Sequence, residues 1–367
     1  MENLVTLPSP QPDPAYWRGR RVLLTGHTGF KGAWLAFWLH SMGAEVLGIA
    51  LAPATKPNLF QALGLAEQMH SRVIDIRDAA ALKPAVQAFA PQTVFHLAAQ
   101  ALVRAAYADP IATYHTNVMG TAHLLEALRT LSSLEAVLCI TTDKVYKNLE
   151  SPQPYAENAE LGGHDPYSAS KAASELLIAS YRAAFFDAMG VPLAVARAGN
   201  VIGGGDWSAD RLLPDAIRAW QQGDCLQIRR PDAVRPWQHV LEPLSAYLCL
   251  AERLPHQASY ATAWNIGPDG AASVRQVIQL AQHAYGSGRT EFAEALSGPH
   301  EAGYLALDAG KARRELGIIP RWSLEQAVTR SMHWYRDFAA GQTAEDLCAA
   351  DLAAYLAPAT NAPTGKA

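Results

Sequence analysis

Cysteine is scarce in this chain and scattered. Cys139, Cys225, Cys249 and Cys348 stand far apart with no Cys-x-x-Cys spacing, which excludes a disulfide framework or a thiolate metal clamp and fits a reducing cytoplasm. Charged residues make up only 17% of the chain and the net charge is -4, so there is no basic excess for nucleic acid and no acidic tail. No uninterrupted apolar run reaches membrane-spanning length, and Met1 to Pro8 lacks the basic-then-apolar layout of a signal peptide. The expectation is a cytoplasmic protein with no metal, no nucleic-acid partner and no membrane partner.

What the chain does have is apolar bulk. Half of its 367 residues are hydrophobic, enough for one large α/β domain with a smaller lobe, or for two domains. The ends, rich in Pro, Ala and Thr, read as loose tails over 1–16 and 346–367.

Arg21-Val22-Leu23-Leu24-Thr25 is a short apolar run, Gly26-His27-Thr28-Gly29-Phe30-Lys31-Gly32 follows it, and Ala33 to Leu39 has helical apolar spacing. Strand, glycine turn and helix come in the order a phosphate-binding unit requires. The glycines let the backbone approach a pyrophosphate, and the helix start offers unpaired N–H groups and a positive dipole end. Further apolar runs at 45–51, 72–76, 93–97, 136–141 and 191–197 alternate with helical patterns, as in a parallel sheet.

The predicted fold is therefore α/β: a Rossmann-type doubly wound parallel sheet over 17–199, then a smaller mixed α/β substrate lobe over 200–345 with some segments returning to the first domain. After the second strand stands Leu51-Ala52-Pro53, neither the acid that meets an adenosine ribose nor an arginine for a 2′-phosphate. NAD over NADP is thus a lean. Asp75 and Ile76 close the third strand where an adenine would lie, and His96 reads as a satisfied core histidine. The small residues of Leu97-Ala98-Ala99 leave room for a ligand at the end of the fourth strand.

The fifth strand ends in Thr142-Asp143-Lys144, and Tyr167 and Lys171 follow one helical turn apart on one face. A tyrosine acting as a base near neutral pH needs its pKa lowered by about three units, roughly 4 kcal/mol. A neighbouring ammonium supplies part of that, and an oxidised nicotinamide ring supplies more. Otherwise Tyr167 packs and Lys171 is solvated; the glycine turn upstream favours the catalytic reading. Arg229, Arg230 and Arg235 lie close together around Pro231 and Pro236, either solvated or clamping a diphosphate.

In this order, Gly26-x-x-Gly29-x-x-Gly32, His96-Leu97-Ala98-Ala99, Thr142-Asp143-Lys144 and Tyr167-x-x-x-Lys171 resemble the extended short-chain dehydrogenase/reductase superfamily of nucleotide-sugar enzymes. Within it, Thr25 to Gly32, Thr142-Asp143-Lys144, Arg197 to Trp207 and Arg235 to Val240 are similar to the CDP-glucose 4,6-dehydratases, a likeness covering nearly the whole chain apart from its tails. The resemblance implies NAD held by Gly26, Thr28, Gly29, Phe30, Lys31, Gly32, Asp75, Ile76, Leu97, Ala98, Ala99, Tyr167 and Lys171. It implies CDP-glucose held by Gln100, Asn200, Asp206, Trp207, Arg211 and Arg235. A homodimer or homotetramer would pair through the helix from Asn117 and the helix bearing Tyr167.

The chemistry implied is oxidation at carbon 4, elimination of water across carbons 5 and 6, and hydride return to carbon 6. Tyr167 is the first base, Thr142 bonds the same oxygen, Lys171 lowers the phenol pKa, Asp143 is the acid and Lys144 the second base. Many relatives carry glutamate where Lys144 stands, which leaves the division between Asp143 and Lys144 open. The alternatives are another nucleotide-sugar 4,6-dehydratase, a 4-epimerase and a non-catalytic dinucleotide sensor. Epimerases generally carry small or hydroxyl residues in place of Asp143 and Lys144.

Overall fold

The computed structural model describes residues 9–293 and 302–358. β1 (Arg21–Thr25), β2 (Glu45–Ala50), β3 (His70–Val73), β4 (Thr93–His96), β5 (Ala136–Thr142) and β6 (Leu193–Ala198) are linked through helices. β4, β5 and β6 are buried along their whole length, which is why they read as unbroken apolar runs rather than alternating ones. β7 (Asn200–Ile202), β8 (Cys225–Ile228), β9 (Val234–Arg235), β10 (Trp237–His239), β11 (Ala263–Ile266), β12 (Ala272–Ser273) and β13 (Arg289–Phe292) follow.

Seven parallel strands form the central sheet in the order β11-β6-β5-β4-β1-β2-β3. The direction of winding reverses between β1 and β4, and a doubly wound sheet opens its ligand crevice at that point. The other strands pair two by two, β7 with β10, β9 with β12 and β8 with β13, in the smaller lobe.

Three expectations change. β11, expected in the smaller lobe, is the edge strand of the central sheet, with Ala263 beside Val195 of β6. The helix Leu241–Arg253 likewise packs on β5 and on the helix Phe30–Ser41. Without β11, the edge of β6 would present a row of unpaired backbone groups.

Residues 346–356, expected as tail, belong to the helix Ala344–Leu356, capped by Thr343 and burying Leu347, Cys348, Leu352 and Tyr355. Its alanine richness is a helix-forming composition rather than a disordered one. Residues 9–16 are likewise anchored: Asp13 caps a short helix, and its backbone N–H donates to Glu252, as does the indole of buried Trp17. Residues 1–8 and 359–367 of the expected tails lie outside the described residues.

Two long helices flank the β4–β6 side of the sheet. One runs over 110–128 with a π-helical turn at His115–Met119; the other runs over 166–189 with a π-helical turn at Arg182–Phe186. Among the described residues no helix is long and apolar enough to cross a membrane.

Candidate active site

β1 delivers the chain to Gly26, whose φ of +82° suits glycine, and a Cβ there would sit 2.8 Å from the Ala98 backbone nitrogen. A Cβ on Gly32 would lie 2.1 Å from the Gly26 carbonyl oxygen. The turn and the helix start are thus pressed together as a cradle that only glycine permits. Gly29, the N-cap residue of the helix Phe30–Ser41, has no side chain to cap it, so the first helical N–H groups face outward, as an anion site requires.

Above this cradle lies a cavity of about 390 Å³, lined by every residue assigned to the cofactor from the sequence, from Gly26 and Lys31 through Asp75, Ile76 and Ala98 to Tyr167 and Lys171. A long, largely apolar crevice ending at a helix start fits a dinucleotide. Asp75, after β3, is held by a forked ion pair with Arg77.

A second cavity, about 230 Å³, adjoins the first and is lined by Lys144, Asn200, Asp206, Arg211 and Arg235. Asp206 and Arg211 line both. Two expected substrate residues stand elsewhere. Gln100 points into its own loop, bonding Leu102 and Thr113, and lines neither cavity. Trp207 packs among Trp334, Tyr335 and Phe338 and lines neither cavity. Both side chains are engaged within the fold.

The Tyr167 helix starts because Asp165 accepts from the Ser168 N–H and Pro166 occupies the first turn. Tyr167 and Lys171 are both buried on the inner face, as their spacing predicts. The Lys171 ammonium donates to the Ile140 carbonyl at 3.0 Å, and no hydrogen bond joins it to the Tyr167 phenol among the described residues. Burial raises Tyr167 to about 12, with the Arg211 guanidinium and the Thr142 hydroxyl pulling the other way. Burial also lowers Lys171 to about 8.

Asp143 and Lys144 follow in a short 3-10 turn. Burial pushes the Asp143 carboxyl up and the Lys144 ammonium down, although each charge opposes the other's shift. Both groups are therefore biased toward their neutral forms, a carboxylic acid able to donate a proton and an amine able to accept one. The Thr142 hydroxyl donates to Asp143 Oδ1 at 2.9 Å while Oδ2 is buried without a hydrogen-bond partner among the described residues. Lys31 is half-buried, its ammonium donating to the Tyr247 hydroxyl, and is lowered to about 7 by desolvation and by the nearby Lys171 and Arg211 charges.

Two supporting residues escaped the sequence reading. Asn117, inside the π-helical turn, exchanges hydrogen bonds with the Gln100 backbone and donates to Ser170 one residue before Lys171. It ties the loop after β4 to the catalytic helix. Arg197, seen only as part of a motif, is buried against Glu175 and also donates to the Tyr146 hydroxyl and the Glu157 carbonyl. An unusual polar residue inside an apolar strand was the available signal for Arg197; for Asn117 there was none. His96, by contrast, is the core histidine expected, bonded to Thr25 and Thr121 and lowered by burial to about 3.

The chain matches the family described as GDP-mannose 4,6 dehydratase over residues 23–331. It is 45% identical over 338 residues to the CDP-glucose 4,6-dehydratase of Salmonella typhimurium, covering 90% of this chain and 94% of that one. It is 28% identical to a dTDP-glucose 4,6-dehydratase of Xanthomonas campestris, covering 85% and 92%. Among solved structures, DesIV, a dTDP-glucose 4,6-dehydratase from Streptomyces venezuelae crystallised with NAD, shares the fold with a TM-score of 0.76 at 23% identity, over 86% of this chain and 97% of that one. The chain belongs to the GDP-mannose 4,6 dehydratase family, within the extended short-chain dehydrogenase/reductase superfamily.

Proposed function

We propose that the protein is a CDP-glucose 4,6-dehydratase, converting CDP-D-glucose to CDP-4-keto-6-deoxy-D-glucose and water. The observation that carries this is an acid and an amine, Asp143 and Lys144, beside Tyr167 where a cofactor cavity and a cationic cavity adjoin. An epimerase has no use for such a pair; a dehydratase does. The cytidine base follows the 45% identity to the Salmonella enzyme.

The glycine cradle, Asp75, Ile76 and Lys171 line the cavity that would hold NAD, which would supply a reversible hydride acceptor for the oxidation at carbon 4 and the reduction at carbon 6. Tyr167, raised to about 12 by burial while Lys171 is held by the Ile140 carbonyl, becomes the base for the proton of the sugar's 4-hydroxyl once the Lys171 ammonium leaves that carbonyl and stabilises the phenolate, with Thr142 bonding the same oxygen. The ketone at carbon 4 acidifies carbon 5; Lys144 removes that proton and Asp143 protonates the departing 6-hydroxyl as water. Asn200, Arg211 and Arg235 hold the sugar diphosphate. The active unit is a homodimer or homotetramer paired through the helices over 110–128 and 166–189, which expose Ile111, Met119 and Leu176. Its compartment is the cytoplasm, in keeping with its scattered thiols.

The test is incubation with CDP-glucose deuterated at carbon 4. Loss of water with deuterium at carbon 6 is expected, and Tyr167→Phe should nearly abolish it while the fold remains. A product of unchanged mass, altered only in stereochemistry, would sink the dehydratase reading.

A further inference from the structure

The smaller cavity is far more positive than the protein around it. Arg104, Lys144, Arg211, Arg229, Arg230 and Arg235 line it against Asp206, Asp210 and Asp215, in a chain of net charge -4. Several of these groups are engaged locally: Arg235 donates to the Val234 and Ala302 carbonyls, and Asp215 pairs with Arg218. Arg104 is engaged differently. Its Nη1 meets Asp210 Oδ1 at 3.2 Å.

The two partners come from different elements. Arg104 lies on the short helix Val103–Ala108 after β4, and Asp210 lies in the loop before the helix Leu212–Gln222 of the smaller lobe. The ion pair thus straps one element to the other in the lining of the cavity. Its side chains remain 35% and 39% exposed, and a pair so open to water holds weakly. Asp210 has a φ of +58°, a left-handed conformation that disfavours most side chains. The Arg104 Nε is buried with no acceptor among the described residues, so the guanidinium has a donor that its carboxylate partner leaves unused. Beside it, Arg211 reaches the Ala101 carbonyl at 3.5 Å.

We propose that Arg104 is a diphosphate ligand of the nucleotide sugar, held in reserve by Asp210 as a stand-in anion, so that the pair is a latch which the substrate displaces. A diphosphate offers more charge than one carboxylate and several oxygens to a planar fork of donors. Exchange of anions therefore frees the strap and binds the substrate in one event. The inference rests on the cavity being the nucleotide-sugar site proposed above.

Calorimetric titration of the wild type, Arg104→Gln and Asp210→Asn with CDP and with cytidine tests it, alongside steady-state kinetics on CDP-glucose. Arg104→Gln should weaken CDP roughly ten- to hundredfold, the range for a lost hydrogen bond to a charged group. It should leave cytidine binding unchanged, and the kinetic loss should fall on KM more than on kcat. Asp210→Asn should bind CDP as tightly as wild type or more tightly. If Arg104→Gln binds CDP like wild type, or if both variants weaken CDP and cytidine alike, the latch is refuted and the pair is a staple. A wild-type protein that turns over CDP-glucose while Arg104→Gln keeps its KM overturns this inference alone; one that binds no CDP overturns the function and the latch together.

Discussion

Burial moves Tyr167, Lys171, Asp143 and Lys144 toward their neutral forms. For Lys171 the consequence can be read in a pH profile. Its pKa is lowered to about 8, so the ammonium is present below that value and is lost as pH rises through it. If the charge stabilises the phenolate, kcat/KM should fall on the alkaline side from near that pH. Lys171→Arg, charged throughout, should be slower but lack that limb; a wild-type rate level well beyond it excludes the role. A second residue-scale prediction concerns Arg197 and Glu175, each with a side chain only 4% exposed. Glu175→Gln leaves a buried guanidinium uncompensated, and urea unfolding should register a loss of about 3–5 kcal/mol. A change below about 1 kcal/mol would mean that the Tyr146 and Glu157 bonds suffice for Arg197. The sequence exposed Tyr167, Lys171 and the glycines because their logic is local, a turn or a helical step. Arg197 meets its carboxylate 22 residues away on another element, beyond the reach of any spacing rule.

At the scale of elements, the helix Leu324–Ala339 holds the loop that separates the two cavities. Tyr335 donates from its hydroxyl to the Asp206 carbonyl and accepts from the Asp206 N–H, and Trp334 packs on Trp207 and stacks with Phe338. Trp334→Ala should cost about 3–5 kcal/mol, the range for emptying an aromatic site, read as a lowered denaturation midpoint. Because Asp206 sits on the supported loop and Asn200 on β7 leading into it, KM for CDP-glucose should rise as well. Retained KM with lost stability would confine the helix to a structural role. The runs of β4, β5 and β6 were legible since full burial makes them continuously apolar; β3, mostly exposed, was expected over 72–76 and instead ends at Val73, leaving Asp75 and Ile76 beyond it. The position of β11 was not, because its four residues carry no mark of which sheet they join. The π-helical turns were hidden too: the pattern continues through them while only the hydrogen bonding shifts by one residue.

For the whole molecule, both cavities sit at the crevice where the sheet reverses its winding, and the smaller lobe closes over it. The outer faces of the helices over 110–128 and 166–189 remain open, with Ile111 77% and Leu176 64% exposed. If copies pair there, Leu176→Glu should halve or quarter the mass seen by light scattering while the fold persists; an unchanged mass places the contact elsewhere. The location of the site was legible in advance because a doubly wound sheet fixes it by topology. The strap and the supporting loop were not, since they depend on which side chains the smaller lobe turns inward. The return of β11 to the edge beside β6 has a practical result for engineering. The chain crosses from sheet to lobe and back, so the two are threaded rather than joined at one seam. Replacing the lobe with a relative's cannot be done by a single cut near residue 199; the graft must also be sewn in between β10 and β11 and again between β11 and β12, leaving β11 with its own sheet.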